Sequence, residues 1–177
     1  MIVVLSGCAR VPSSPRPPVA PSPKVISSAD GQCRLTVPPG WAEDPELNAG
    51  AELQVSNKKD ELFAVVMTES KSDLDEMSKE KYSRITRRAL AKSLKSSKTT
   101  GPKKLTISSV PALQYQVSGK MDGLDVVYLH TAIEGKKNFY QILAWTQKSK
   151  FDTIRPMLDQ IISSFQEVEA APPAKKP

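Results

Sequence analysis

The most informative stretch of this chain reads LDVVYLHTAI at residues 124–133, EGKKN at 134–138 and FYQILAWT at 139–146. The two apolar runs are rich in β-branched and aromatic residues, which favour strands, and the polar run between them contains a glycine, which favours a turn. Consecutive strands joined by a short turn pair as an antiparallel hairpin. This stretch therefore predicts two neighbouring strands of an antiparallel sheet.

Shorter runs of the same kind extend this sheet towards the N-terminus. Strands are predicted at residues 32–37, 51–57, 61–69, 104–108 and 112–118. Turn residues separate them, including Pro38-Pro39-Gly40 after the first strand and Asp122-Gly123 before the hairpin. The strands at 51–57 and 61–69 are close enough in sequence to form a second hairpin.

Two segments have apolar residues at helical spacing. The first opens at residues 72–75, where Ser-Asp-Leu-Asp matches a capping box, and its acidic residues suit the positive end of a helix. This helix is predicted to end near Lys95, before the polar residues 96–102. The second helix is predicted from residue 149 or 151 to 165, and Pro156 there indicates either a start near Arg155 or a bend.

The element order β-β-β-α-β-β-β-β-α predicts an α+β domain over residues 29–168. In such a domain an antiparallel sheet of about six to seven strands is packed by two main helices. Three short motifs occur in this order along the chain: Val37-Pro38-Pro39-Gly40-Trp41 after the first strand, Val110-Pro111-Ala112 at the start of the meander, and Ile161-Ile162-Ser163-Ser164-Phe165 at the end of the last helix.

With these motifs the stretch from residue 32 to 168 resembles the PsbP-like fold. That superfamily includes the lumenal PsbP subunits of photosystem II, DcrB-type bacterial lipoproteins and a Ran-binding nuclear import factor. The resemblance implies a binding or assembly module without catalysis. The side chains with which PsbP subunits bind metal have no counterpart in this sequence, so the resemblance implies no metal site here.

Proline is concentrated near the two ends of the chain. Of the 15 prolines, six lie between residues 11 and 24 and three lie among the last six residues. Runs of Pro, Ser and Ala bury too little apolar surface to offset the entropy of ordering. Residues 8–28 are therefore predicted to be a linker, and residues 169–177 a disordered tail.

The tetrapeptide Leu5-Ser6-Gly7-Cys8 resembles the bacterial lipobox, in which the cysteine carries lipid and a signal peptidase cuts before it. Residues 1–7 would then be a short or truncated signal segment, with fewer apolar residues than usual and no basic residue. The resemblance implies a protein tethered by Cys8 to a membrane of the cell envelope, on its periplasmic or extracellular side. The alternatives are a chance tetrapeptide and a disulfide between Cys8 and Cys33. Lipidation would leave Cys33 unpaired.

Residue types that support catalysis are scarce. The chain has one histidine, His130, and lacks the HExxH, CxxC, GxSxG and phosphate-loop patterns. His130 and Cys33 are each expected to be core groups of a strand. The acidic residues at 73, 75 and 76 are expected to complement a helix start rather than to bind a cation. We therefore predict no catalytic residue, no metal site, no cofactor and no enzymatic activity.

Positive charge is concentrated around the first helix. Nine basic residues and four acidic residues lie between positions 71 and 98, in a chain whose net charge is +6. Five of the basic residues are predicted to cluster beside the apolar stripe: Lys81, Arg84, Arg87, Arg88 and Lys95. Such a face is either simply solvated or a binding surface for lipid headgroups, acidic polymers or an acidic protein. Nucleic acid is disfavoured because no aromatic residues are interleaved with the charges.

These features predict a lipid-anchored protein of the cell envelope with a non-catalytic domain that binds or assembles with another protein. The alternative is a module that binds a small apolar molecule on the sheet or near Trp145. Trp41 and Trp145 are otherwise expected to be core residues. A pocket of roughly 300 Å³ or more with converging polar groups would favour the alternative, and a flat exposed patch would favour the first hypothesis.

Overall fold

The structure is a computed structural model that describes residues 22–168. Within these residues the strands are β1 (Lys24–Ser27), β2 (Cys33–Val37), β3 (Ala42–Glu43), β4 (Leu53–Asn57), β5 (Leu62–Ser70), β6 (Lys95–Ile107), β7 (Val110–Met121), β8 (Leu124–Glu134), β9 (Asn138–Gln147) and β10 (Gln166–Glu167). The helices are α1 (Lys79–Ser93) and α2 (Lys148–Ser163), with a short 3-10 helix at Lys71–Asp73. Seven strands form one antiparallel sheet in the order β3-β4-β5-β9-β8-β7-β6, and β1-β2-β10 form a second sheet. The predicted α+β class is confirmed.

The two helices lie on opposite faces of the large sheet because side chains alternate along each strand. On β9, Ile142 and Ala144 belong to the core that α2 and the small sheet cover. On the same strand, Leu143 and Trp145 belong to a second cluster, which includes Leu90 of α1. The sheet is therefore the middle layer of three.

The central hairpin forms as its sequence predicts. β8 and β9 pair in register from Val126 opposite Gln147 to Glu134 opposite Phe139. The predicted hairpin of β4 and β5 also forms, and the turn after β2 is closed by the amide of Trp41 donating to the carbonyl of Pro38 at 3.3 Å. These elements are confirmed because their turns and alternation are local properties of the chain.

The predicted start of the first helix is wrong. Ser78, not Ser72, caps α1, and its hydroxyl accepts a hydrogen bond from the amide of Lys81 at 3.2 Å. Residues 71–73 instead form the 3-10 helix, and Glu76 has a φ of 50°. A left-handed residue interrupts a right-handed helix, so the turn at residues 71–73 cannot continue into α1.

The first helix ends at Ser93, close to the predicted end, but the residues after it form a strand and were not predicted to do so. β6 begins at Lys95 and pairs with β7 as the edge strand of the sheet. Because this strand is exposed along most of its length, its residues lack the apolar alternation that predicts strands. Its ladder has a register shift between Thr100 and Lys103, around Pro102, which has no amide hydrogen to donate.

Other differences lie near the chain ends of the described part. α2 begins at Lys148 and contains Pro156 in its interior, so a helix start near Arg155 is wrong. Proline has no amide hydrogen for the carbonyl four residues earlier, that of Asp152. The short strands β1 and β10 both pair with β2, and β1 lies within the stretch that the sequence assigns to the linker.

Candidate functional site

An apolar groove lies between α1 and the large sheet. α1 packs mainly on β7 and β8, which leaves the same face of β5 and part of β9 uncovered. The groove has a volume of about 910 Å³, and its floor includes Val65, Met67, Val126 and Leu143. This volume is within the range of small-molecule sites in proteins, about 300 to 1,000 Å³.

Three aromatic rings form a row across one end of the floor. Trp145 of β9 is directly opposite Phe63 of β5 and Tyr128 of β8 in the strand registers. Its ring stacks on Phe63 at a centroid distance of 5.3 Å and on Tyr128 at 5.2 Å. Trp145 keeps part of its surface exposed, whereas Trp41 is buried in the core on the other side of the sheet. Trp145 is therefore available to a ligand and Trp41 is not.

The rim of the groove is partly apolar and partly acidic. Ile85 of α1 is 47% exposed and Leu124 of β8 is 55% exposed, which is unusual for large aliphatic side chains. The carboxylates of Glu46, Glu61 and Glu69 also border the groove. The carboxylate of Glu69 accepts a hydrogen bond from the Tyr82 hydroxyl at 3.4 Å, and that of Glu61 pairs with Lys150. Polar groups thus converge on an apolar site.

His130 lies behind the groove, beneath α1, and is fully buried. The Thr86 hydroxyl donates to the carbonyl of Tyr82 at 3.0 Å and lies 2.9 Å from Nε2 of His130. Because that hydroxyl has a single hydrogen, it accepts from an Nε2–H, which makes Nδ1 the unprotonated nitrogen. Burial, and to a smaller extent the nearby Arg87 guanidinium, lowers the pKa of His130 to about 4. His130 is therefore a neutral structural group at pH 7.

Cys33 is also a core group. The side chain is buried on β2, and its thiol is free. Burial raises the pKa of Cys33 to about 11, in spite of a hydrogen bond with Ser28 that lowers it. A thiol with so high a pKa is almost entirely protonated at pH 7 and is a poor nucleophile.

The five predicted basic residues do not form a single face. Lys81, Arg84 and Arg88 are exposed on α1, as expected. The guanidinium of Arg87 instead lies over the ring of Tyr115, 5.0 Å from its centroid, and Arg87 is half-buried. Lys95 belongs to β6 and not to the helix. Lys95 leaves the predicted cluster because the helix ends at Ser93, and Arg87 leaves it because its guanidinium packs on Tyr115.

Sequence reasoning missed most of the groove. Phe63, Tyr128 and Trp145 are distant along the chain, and their adjacency depends on the strand order. The region of Trp145 was expected to be a binding site only under the alternative hypothesis. Lys92 was also missed as a member of the basic face, although its position four residues after Arg88 was a usable signal.

Some expected features lie outside the described residues or have no counterpart among them. Cys8 and the segments 1–7 and 169–177 are outside residues 22–168. Within the described part of the chain, no group of three or more His, Cys, Asp or Glu side chains is arranged to hold a metal ion. None of the helices at residues 22–168 has the length and apolar character needed to cross a membrane.

No protein-family model and no curated protein matches this chain, but solved structures do. The chain is similar to cyanobacterial PsbP (CyanoP) from Synechocystis sp. PCC 6803, with a TM-score of 0.61 and 14% identity over 88% of this chain and 98% of that one. It is similar to LpqN, a protein involved in cell envelope biogenesis of Mycobacterium tuberculosis, with a TM-score of 0.60 and 13% identity over 84% and 91% of the two chains.

A third similar structure is the Ran-binding protein Mog1p of Saccharomyces cerevisiae. The TM-score is 0.59 and the identity is 11%, over 84% of this chain and 96% of that one. Identities this low indicate a shared fold and carry no residue from one chain to another. The element order, the strand order and these similarities together show that this chain has the α+β fold of PsbP.

Proposed function

We propose that this protein is a non-catalytic, envelope-associated binding protein whose groove takes the apolar part of a small ligand. The observation that carries the proposal is the groove of about 910 Å³ with Trp145 on its floor and the exposed Ile85 and Leu124 at its rim. Binding an apolar group there would remove these side chains from water, which is favourable in proportion to the area buried. The structural similarity to LpqN supports an envelope role.

The absence of catalysis is part of the proposal. The two groups with acid–base or nucleophilic chemistry, His130 and Cys33, are both buried, and neither belongs to the groove lining. The polar groups that line the groove are carboxylates, amides and hydroxyls, and Glu61 and Glu69 already have hydrogen-bond partners. These groups suit the orientation of a ligand by hydrogen bonds.

A fluorescent apolar probe, 1-N-phenylnaphthylamine, tests the groove directly. We expect its fluorescence to rise on binding and to be excited by energy transfer from Trp145. Ala89→Trp should weaken binding at least about tenfold, because Ala89 borders the groove and an indole there would fill it. Thr153→Trp is the matched control, since Thr153 is also an exposed helical residue but lies on α2.

Two results would contradict the proposal. Equal probe binding by Ala89→Trp and Thr153→Trp would show that the probe binds outside the groove. No probe binding by the parent chain, at concentrations up to the solubility of the probe, would remove the small-ligand function. The exposed rim of the groove would then be better explained as a surface that binds another protein.

A further inference from the structure

Four exposed basic residues form one stripe on α1. Lys81, Arg84, Arg88 and Lys92 follow one another at spacings of three or four residues. At 100° per residue they lie within an arc of about 80° on the helix surface. No ion pair within residues 22–168 involves any of the four. We call these four residues the basic stripe.

The basic stripe lies directly beside the opening of the groove. Ile85 is four residues after Lys81 and three before Arg88, and it is the next position on the helix surface after Lys92. This exposed isoleucine borders both the stripe and the groove. A surface that combines cations with a protruding aliphatic side chain is typical of helices that lie on an anionic membrane.

Charge in the domain is strongly asymmetric. Six basic residues and one acidic residue, Glu80, lie on α1, between positions 79 and 93. Glu80 is on the side of the stripe away from Ile85 and lies 3.9 Å from Lys79. The acidic groups that border the groove, Glu46, Glu61 and Glu69, all lie outside α1, and Glu61 pairs with Lys150. An anionic surface would therefore approach the groove from the α1 side.

We propose that the basic stripe docks the opening of the groove against an anionic phospholipid membrane. The inference rests on the proposed function, because a membrane is the reservoir of hydrocarbon ligands that the groove would take up. Lys81, Arg84, Arg88 and Lys92 contact the headgroups, and Ile85 enters the boundary between headgroups and acyl chains. The charges set the orientation, so the groove opens towards the lipid and not towards solvent.

Vesicle sedimentation with the full chain tests this docking. Cys8→Ser is included in every variant so that no anchor contributes. The chain should bind vesicles of phosphatidylcholine mixed with phosphatidylglycerol, not vesicles of phosphatidylcholine alone, and raising NaCl from about 0.1 M to about 0.5 M should release it. Arg88→Glu/Lys92→Glu should lower binding at least about tenfold.

The matched control is Lys103→Glu/Lys104→Glu, which changes the net charge by the same amount at two exposed positions of β6. It should bind within about twofold of the parent. Equal losses in both double variants would overturn the proposal, since binding would then follow net charge alone. Ile85→Ser should weaken vesicle binding and leave binding of soluble polyglutamate unchanged. Strong polyglutamate binding with no effect of Ile85→Ser on vesicles would indicate an acidic protein partner instead.

This test can fail separately from the groove test. Ala89→Trp should block the apolar probe but still sediment with anionic vesicles, whereas Arg88→Glu/Lys92→Glu should lose the vesicles but still bind the probe. If Ala89→Trp blocks the probe and no variant sediments, the groove remains and the docking is wrong. If vesicles bind through the basic stripe and the probe never binds, membrane docking stands and the proposed binding of a small ligand in the groove is wrong.

Discussion

At the scale of single residues, the burial of His130 has a consequence for acid stability. The imidazole extends from β8 towards α1, with the Thr86 hydroxyl at Nε2 and the Tyr115 ring in a T-shaped contact with it. The charged group that acts on the ring is the Arg87 guanidinium, which is itself cationic, so protonation of the ring gains no counter-charge from it. His130 therefore binds a proton less readily in the folded state than in the unfolded state.

We expect the free energy of unfolding to fall as the pH is lowered from 6.5 to 4. The pKa of His130 is about 4 in the folded chain, against an ordinary value of 6.5 that applies to the unfolded chain. The contribution of the neutral imidazole to the free energy of unfolding is therefore fully present above pH 6.5 and is lost as the pH falls from 6.5 to 4. The loss reaches about 3 kcal/mol at the lower end. Urea unfolding between pH 7 and pH 4 measures it.

The comparison variant is His130→Gln, which keeps a polar side chain of similar length without titrating in this range. Its overall stability should be lower at every pH, but the slope of the unfolding free energy between pH 6.5 and 4 should be smaller than in the parent. Parallel slopes in the two chains would show that other groups are responsible for the acid sensitivity.

At the scale of elements, local signals predicted the central strands well and the start of the first helix poorly. The meander from β7 to β9 follows from alternation and turn residues, because both are short-range properties. The capping-box pattern at residues 72–75 was a real sequence match, but Ser72 lies in a 3-10 turn that Ser70 caps. A cap acts only where a helix follows, and the left-handed Glu76 separates this turn from α1.

Two serine substitutions measure which cap supports the helix. Ser78→Ala should lower the free energy of unfolding by about 1 kcal/mol, because it removes the hydrogen bond to the amide of Lys81. Ser72→Ala should change it by less than about 0.5 kcal/mol, because Ser72 is exposed and its contacts are local. Thermal or urea unfolding of the two variants distinguishes the caps, and a larger loss at Ser72 would contradict the observed helix start.

The edge strand β6 could not be predicted over its full length from its residues. A buried strand is recognisable because one of its faces must be apolar, whereas both faces of β6 are largely exposed and carry Lys, Ser and Thr. Its hydrogen bonds with β7 hold it in place. Exposed lysines and a proline are also the residues with which natural edge strands discourage pairing with other chains.

At the scale of the whole molecule, attachment to a membrane would combine two separate contacts. Lipid on Cys8 would keep the domain close to the bilayer, and the basic stripe would orient it. A tether of this kind raises the local concentration of a weak surface contact without changing the contact itself. If Cys8 is lipidated, the anchored chain should therefore associate with the membrane more strongly than the unanchored chain.

In a bacterial host, we expect Cys8→Ser to abolish incorporation of a clickable fatty acid and to move most of the protein out of the membrane fraction. Cys33→Ser is the matched control: it removes the other cysteine of the chain and should leave labelling intact. Unchanged labelling and fractionation of Cys8→Ser would disprove the lipid anchor. The vesicle binding of the basic stripe is measured without the anchor and would stand independently.

The groove is the part of the molecule that required the fold. Its floor combines Phe63, Tyr128 and Trp145, which are neighbours only because β9 lies between β5 and β8. Its opening exists because α1 packs mainly on β7 and β8 and leaves the face of β5 uncovered. Neither fact has a local signature, since strand order and helix placement depend on contacts between distant parts of the chain.

The amino-acid sequence alone was sufficient for the α+β class, the central meander and the excess of positive charge near the first helix, because alternation, turn residues and charge are read over a few neighbouring positions. The tertiary structure decided which charges share a surface: Arg87 lies on Tyr115, Lys95 moves to β6, and Lys92 joins the basic stripe. It also decided that His130 is uncharged and that a groove opens beside Trp145. These properties depend on burial and on packing between distant segments, and both exist only after the sheet and the helices have assembled.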